Sequence, residues 1–392
     1  MLKRTGGRPR SWGALTTTLL SIVVALILGA VVLAAAGFNP LLVYRMIVTG
    51  VFSKPKFIAW TLLKAQPILL TGLAVAFAFR TGLFNIGAEG QFIIGMTAAA
   101  IAGYLFRLPP VIHPIVCMMV GMTAAAIYGG FVGVLKARFG VHEVISSIML
   151  NWIALYLHNE VVIMKTFSQE INKSYPIRPT ASLLILEEWK KSDAGREWLA
   201  GIPWLKDVMG TPINWGLPLA LAAVFAVWFI LTKTRLGFEL RAVGAGRGTA
   251  EHSGIPIGRC VTFAMAISGA LAGAAGSMQV LGITAPARLT NLAAMEGYGF
   301  DGIAVALMGN TSPIGCLFSA LFFAVLKYGG SKVNMEPAYA PPEVVQIMIG
   351  VIMLCVAAPR VFTMLRARII RLREARGLRE ARDHRAEEGN HE

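Results

Sequence analysis

Three polar side chains, Asn85, Glu89 and Gln91, interrupt an otherwise apolar stretch of the chain. Polar groups inside a membrane are costly and usually face a bundle interior or a wet cavity, so this trio predicts part of a path for a polar solute. Hydrogen bonding between packed helices is the alternative explanation for the same residues. Asn151 and Asp301 also lie within apolar runs, and both interpretations apply to them as well.

No recognisable set of catalytic residues accompanies these side chains. Gly297, Gly299 and Gly302 have the spacing of a dinucleotide-binding loop, but no predicted strand precedes them and no βαβ unit surrounds them. A Walker A motif is missing, since the dipeptide Gly-Lys never occurs, and the HExxH and GxSxG motifs are missing too. The sequence therefore disfavours an enzyme, and we expect neither a cofactor nor nucleotide hydrolysis on this chain.

Composition indicates an integral membrane protein. Of the 392 residues, 56% are hydrophobic and only 15% are charged, whereas soluble domains have about 25% charged residues. The apolar runs are continuous and do not alternate with a period of two, which favours an all-α bundle over a barrel. The four cysteines are scattered through apolar runs without a CxxC pair, so they predict neither a disulfide nor a metal site.

The apolar runs predict about ten transmembrane spans, with a lower bound of eight. A span needs roughly 20 apolar residues, and the predicted limits are 13–37, 58–79, 83–105, 111–135, 143–164, 213–232, 260–283, 292–309, 314–330 and 343–362. Two of these, 83–105 and 292–309, are rich in glycine and polar residues, so we expect broken or re-entrant segments there. Broken helices in corresponding halves of a chain point to a transport site.

The basic residues gather where a membrane topology would place them. They occur in the N-terminal tip 1–12, just after the fourth span, in the segment 233–259 and in the Arg/Glu-rich tail 363–392. Ten spans put all four regions on one side, which the positive-inside rule makes cytoplasmic. The net charge of +15 therefore predicts contact with lipid headgroups and not with nucleic acid. The largest extracytoplasmic segment, 165–212, has no such bias.

The segment 233–259 has five basic residues and two acidic ones between two long apolar runs. Leu240, Val243 and Ile255 could form an apolar stripe on short helical turns, separated by glycines. A short helix on the inner face, flanked by hinges, would suit docking by a soluble partner. A merely solvated loop is the alternative.

Four motifs resemble those of permease subunits of bacterial ABC importers in the branched-chain amino acid, ribose and nucleoside class. They are FNIGAEGQ at 84–91, VHEVISSIMLNWIALYL at 141–157, RLGFELRAVGAGRGTAEHSGI at 235–255 and EGYGFDGIAVALMGNTSPIG at 296–315. The resemblance covers most of residues 15–362 and implies a transmembrane permease domain over residues 13–362. Within the class, the first two motifs are most similar to nucleoside permeases associated with lipoproteins of the basic-membrane-protein type.

The resemblance implies a subunit of the bacterial inner membrane that works by alternating access, with both termini in the cytoplasm. Its partners would be a cytoplasmic ABC ATPase, a second permease subunit that is a different homologous chain, and an extracytoplasmic solute-binding lipoprotein. A nucleoside or simple sugar is the expected solute. The alternatives are a branched-chain amino acid permease and a secondary transporter without an ATPase.

The family couples to its ATPase through the loop that resembles 235–255. The implied coupling residues are Glu239, Arg241, Ala242, Gly244, Ala250, Gly254 and Ile255. Two positions depart from the family pattern, because Arg247 stands where Asn is common and Glu251 where Ala is common. These departures change the implied ATPase contact at two positions and leave the coupling role in place.

Overall fold

The computed structural model of the chain describes residues 11–284, 287–290, 296–333 and 340–357. Helices dominate these residues. The α-helices are α1 (Ser11–Ala35), α2 (Pro40–Phe52), α3 (Pro55–Phe79), α4 (Ala88–Leu105), α5 (Ile112–Phe139), α6 (Glu143–Ile163), α7 (Glu187–Lys191), α8 (Asp193–Ala200), α9 (Pro203–Met209), α10 (Gly216–Lys233), α11 (Arg235–Ala245), α12 (Arg247–His252), α13 (Ile257–Met278), α14 (Tyr298–Met308), α15 (Pro313–Val333) and α16 (Pro342–Ala357).

Other regular structure within the described part of the chain is slight. Two short antiparallel strands, β1 (Ser168–Glu170) and β2 (Lys173–Ser174), form a hairpin. A 3-10 turn covers Pro179–Ala181, and a π-helical turn, Gln279–Ile283, continues α13. The predicted all-α membrane class is therefore confirmed.

Fewer spans than ten are evident in the described residues. Five helices are long and apolar enough to cross a membrane: Pro55–Phe79, Ile112–Phe139, Gly216–Lys233, Ile257–Ile283 and Pro313–Val333. A sixth is added if the helix pair Ile22–Ala35 and Pro40–Phe52 is counted as one span. The count of about ten spans stays a prediction.

The two glycine-rich predicted spans differ most from uninterrupted helices. In the predicted span 83–105 the helix α4 begins only at Ala88, and the residues before it form turns. In the predicted span 292–309, α14 has 11 residues, about 16 Å of helix, which is well short of a 30 Å bilayer core.

The structure also has a helix, α2, where no span was predicted. The tip 1–10 and residues 358–392, which include the predicted tail, lie outside the described residues.

Small residues let the central helices approach closely. A Cβ atom added at Gly95 of α4 would lie 2.4 Å from the Cα atom of Gly273 in α13. A Cβ atom at Gly273 would in turn lie 2.4 Å from the Cβ atom of Ala125 in α5. Close helix contact through small residues is how membrane helices gain packing energy without a hydrophobic driving force. These contacts place α13 directly against α4 and α5.

The chain divides into two compact units. Leu41–Gln346 form one unit and include all of the candidate site residues. Met1–Pro40 and Ile347–Glu392 form the other, of which α1 and the end of α16 are described. One face of α1 exposes large apolar side chains, among them Val23, Ile27 and Val31, as expected for a helix in contact with lipid.

Candidate functional site

The turn after α3 folds back into the bundle instead of leaving it. The Nδ2 atom of Asn85 donates to the Oγ atom of Ser268 at 2.7 Å, and the Ser268 hydroxyl donates to the carbonyl oxygen of Ala74 at 2.6 Å. Ala74 precedes the end of α3 by five residues, about 8 Å of helix rise. Asn85 therefore lies beside the last turns of α3, and α4 begins inside the bundle.

Three buried amide side chains hold this turn. Asn85 accepts from the backbone N–H of Gly87 at 2.9 Å and donates to the Oε1 atom of Gln91 at 2.8 Å. Asn151 of α6 accepts from the backbone N–H of Gly90 at 2.8 Å and donates to the carbonyl oxygen of Ile86 at 3.1 Å. These contacts agree with hydrogen bonding between packed helices and give the amides a positioning role. Contact between them and a solute stays a prediction.

Glu89 joins the two glycine-rich segments. Its Oε1 atom accepts from the backbone N–H of Gly297 at 3.0 Å, and its Oε2 atom accepts from that of Gly299 at 2.6 Å. The carboxylate thus satisfies the unpaired N–H groups at the start of α14, where negative charge also favours the helix dipole. Gly297 has a φ of 76°, which only glycine adopts without strain. The two segments meet within the membrane bundle.

Five polar side chains surround the start of α14, and we refer to them as the Lys64–Lys327 cluster: Lys64, Glu296, Tyr298, Asp301 and Lys327. The Nζ atom of Lys64 donates to the Tyr298 hydroxyl at 2.9 Å, and Lys327 is paired with Asp301. The Nζ atom of Lys327 lies 4.9 Å from the centroid of the Tyr298 ring, within the range of cation–π attraction, whereas Lys64 meets the ring at its hydroxyl. The ring itself is buried.

Gln279, in the π-helical turn after α13, connects to this cluster. Its Nε2 atom donates to both carboxylate oxygens of Glu296, at 3.0 Å and 3.1 Å. Its Oε1 atom is buried without a hydrogen-bond partner among the described residues. Sequence reasoning identified Asp301 but missed Gln279 and both lysines. A lysine within a long apolar run was the available signal, because ionisable groups in membrane spans are usually functional.

The segment 233–259 forms two short helices, α11 and α12. The Thr234 hydroxyl caps α11 by accepting from the backbone N–H of Gly237 at 3.1 Å. Leu240 and Val243 are buried, which confirms the apolar stripe, whereas Ile255 is half-buried. The segment is therefore an ordered amphipathic surface and not a merely solvated loop.

The predicted coupling residues divide by exposure. Glu239 is half-buried and pairs with Arg235 at 2.9 Å. Arg241 is exposed, and its Nε atom donates to the carbonyl oxygen of Gly237 at 3.2 Å. Of the other predicted coupling residues, Ala250 is buried, Ala242 is half-buried, and Gly244 and Gly254 are exposed. The exposed residues leave a surface of short helices available to another protein.

The coupling segment contacts the turn after α3. A Cβ atom at Gly244 would lie 2.2 Å from the carbonyl oxygen of Arg80 and 3.2 Å from the backbone nitrogen of Gly82. Arg80 in turn donates from Nε to the carbonyl oxygen of Thr311, between α14 and α15, at 3.0 Å. The surface of α11 therefore touches the same turn that leads to Asn85.

Comparison with known proteins supplies a family and its relatives. Residues 57–357 match the family model described as branched-chain amino acid transport system / permease component. The chain is 37% identical over 345 residues to the guanosine ABC transporter permease protein NupP of Bacillus subtilis, covering 88% of this chain and 93% of that protein.

Two further relatives are similarly well covered. The nucleoside ABC transporter permease protein NupB of Lactococcus lactis is 31% identical over 360 residues, which is 91% of this chain and 95% of the relative. The glucose ABC transporter permease protein TsgB13 of Haloferax volcanii is 31% identical over 346 residues, 86% of this chain and 87% of the relative. No solved structure matches the chain.

Proposed function

The chain belongs to the branched-chain amino acid transport system / permease component family, and from that premise we propose that it carries a nucleoside across the membrane. It is a multi-pass membrane protein and the permease subunit of an ABC importer, not an enzyme. This membership displaces the alternative of a secondary transporter. A simple sugar is the second candidate solute, because one well-covered relative is named for glucose.

The main support for a transport path in this region is the contact between Glu89 and the start of α14. It brings two helix starts together inside the bundle, and broken helices that meet in this way form the solute sites of many transporters. Asn85, Gln91 and Asn151 support the turn before α4, and Asp301, in the first turn of α14, pairs with Lys327. We assign the path to this region.

Coupling to a separate ATPase is assigned to α11 and α12. The exposed residues Arg241 and Gly254 would form the contact, and Gly244 would join it to the turn after α3. Glu239, Ala242, Ala250 and Ile255 would shape the surface behind it. The permease would alternate between two conformations. The nucleotide-dependent states of the ATPase would bind these conformations with different affinities and so shift the equilibrium between them. The second permease, which we expect to be a different homologous chain, and the solute-binding lipoprotein would complete the complex.

We place both termini in the cytoplasm on the basis of the positive-inside rule, on the same side as the coupling segment. The turn at Arg80 touches the coupling segment, so both lie on one side of the bundle. On the other side, Arg178 of the segment 165–212 donates to the carbonyl oxygen of Tyr104 at 3.0 Å, and Thr180 lies 2.8 Å from the Nδ1 atom of His113. The segment 165–212 would therefore face the solute-binding protein.

Uptake by the complete transporter tests this function. The chain would be expressed with its ATPase, second permease and binding lipoprotein in cells that lack other nucleoside uptake systems. Uptake of radiolabelled guanosine, glucose and leucine would then be compared with and without an active ATPase. ATPase-dependent uptake of guanosine supports the proposal. Uptake of glucose alone would favour the second candidate, and uptake of leucine alone would contradict both.

A further inference from the structure

Three charged side chains of the Lys64–Lys327 cluster, those of Lys64, Glu296 and Lys327, remain partly exposed. The side chains of Lys64 and Glu296 are 33% and 28% exposed, and the distance between Lys64 Nζ and Glu296 Oε2 is 3.9 Å. Glu89 and Tyr298, which lie next to them, are buried. Lys64 and Glu296 therefore offer one donor and one acceptor side chain that solvent reaches.

These groups have unused hydrogen-bonding capacity. An ammonium group has three donors, and Lys64 uses one on the Tyr298 hydroxyl at 2.9 Å. A carboxylate accepts about four hydrogen bonds, and Glu296 has Gln279 and the Tyr298 hydroxyl as partners. The Oε1 atom of Gln279 has no partner among the described residues although the residue is only 2% exposed. Its burial leaves the accessible hydrogen-bonding capacity to Lys64 and Glu296.

Charge narrows the class of ligand. Lys64 and Lys327 face the carboxylates of Glu296 and Asp301, so their formal charges cancel. The carboxylate of Glu89 is already engaged by the start of α14. A charged solute would meet an equal number of repelling groups, whereas a neutral solute with hydroxyl groups can donate to the carboxylate and accept from the ammonium.

From this geometry we infer that Lys64 and Glu296 bind a sugar hydroxyl group of the transported solute. The hydroxyl would donate to Glu296 and accept from Lys64, while Gln279 holds the Glu296 carboxylate in place. This inference rests on the proposed function and sharpens it. A nucleoside and a simple sugar, the two candidate solutes, both have vicinal hydroxyls. The permease would therefore recognise the sugar of its solute and not the base.

The experiment compares guanosine with 2′,3′-dideoxyguanosine, which lacks the vicinal hydroxyls. Uptake of both is measured in proteoliposomes containing the complete transporter, first with the wild-type chain and then with Glu296→Gln and Lys64→Met. Each variant should lower the ratio of guanosine uptake to dideoxyguanosine uptake by about tenfold, the usual loss of one hydrogen bond to a charged group. The same binding protein is present with the wild-type chain and with each variant. Its own preference for one solute therefore cancels when the two uptake ratios are compared.

Lys56→Met is the matched control, since Lys56 is an exposed lysine of the same helix, α3. It should leave the ratio unchanged. An unchanged ratio in both Glu296→Gln and Lys64→Met would overturn the inference while guanosine uptake by the wild-type chain upholds the proposed function. An equal loss of both solutes with normal membrane abundance would assign the cluster to conformational coupling and would also overturn it. A wild-type transporter that moves neither nucleoside contradicts the proposed function itself.

Discussion

Gly244 of α11 lies against the backbone of Arg80, and no side chain can fit between them. A Cβ atom at Gly244 would come within 2.2 Å of the Arg80 carbonyl oxygen. Because backbone atoms cannot rotate out of the way, the contact joins two backbone segments directly. One segment leads to the proposed ATPase surface, and the other leads through Gly82 to Asn85 and α4.

Substitution of Gly244 by alanine should uncouple the transporter. The added methyl group must push α11 away from the turn after α3, so uptake should fall at least tenfold while the protein is still inserted and still binds the ATPase. Radiolabelled uptake, membrane immunoblotting and ATPase pull-down measure the three properties. Gly248→Ala is the control, because a Cβ atom there meets nothing within 4 Å. Normal uptake by Gly244→Ala would show that the contact carries no coupling.

Substitution of Glu89 should destabilise the bundle. The carboxylate accepts two backbone N–H groups, from Gly297 and Gly299. In Glu89→Gln the amide oxygen can accept from one of them, and the NH₂ group would face the other as a second donor. One buried group left unpaired costs about 1–3 kcal/mol, so the thermal unfolding midpoint in detergent should fall by several degrees. Glu160→Gln, on an exposed face of α6, should leave the midpoint unchanged, and an equal midpoint in both variants would refute the capping role.

Arg241 should matter for ATPase binding more than its neighbour Arg235. Both are exposed on α11, but Arg235 pairs with Glu239, whereas Arg241 contacts its own helix backbone. We expect Arg241→Gln to reduce recovery of the ATPase in a pull-down by about fivefold, which corresponds to about 1 kcal/mol. Arg235→Gln serves as the matched neutralisation and should retain full recovery. The docking assignment fails if the two variants behave alike.

Local patterns in the sequence predicted the helix breaks and the buried face of the site. They did not predict which of these parts contact each other. The glycines of FNIGAEGQ and EGYGFDG predicted broken segments because glycine relaxes the helix, and both breaks are present. The burial of Leu240 and Val243 followed from their spacing on one face of a short helix. These properties depend on residues that are close in sequence, so a short stretch of the chain is enough to predict them.

The contacts between distant parts of the chain could not be read in the same way. Lys64 and Tyr298 are 234 positions apart and hydrogen-bond to each other, and no periodicity relates them. The unpaired Oε1 atom of Gln279 depends on a π-helical turn that continues α13. The contact of Gly244 with Arg80 likewise depends on how α3 and α11 pack. Tertiary packing decides which isolated polar residues meet.

The pair of Lys327 and Asp301 offers a test that separates charge balance from transport. The Asp301 side chain is 9% exposed and that of Lys327 is 32% exposed. Removing only the lysine, in Lys327→Met, leaves a buried carboxylate without its partner. The loss of stability should be about 2–3 kcal/mol, less than the 3–5 kcal/mol of a fully buried pair, because water still reaches the lysine end. The double variant Asp301→Asn with Lys327→Met removes both charges and should recover most of that stability. Thermal unfolding of the single and double variants in detergent measures the coupling between the two residues. If the double variant is as unstable as the sum of the single changes, the two charges do not compensate each other.

Uptake by the same double variant tests a role in transport. If the double variant regains stability but not guanosine uptake, the ion pair is needed for transport as well as for folding.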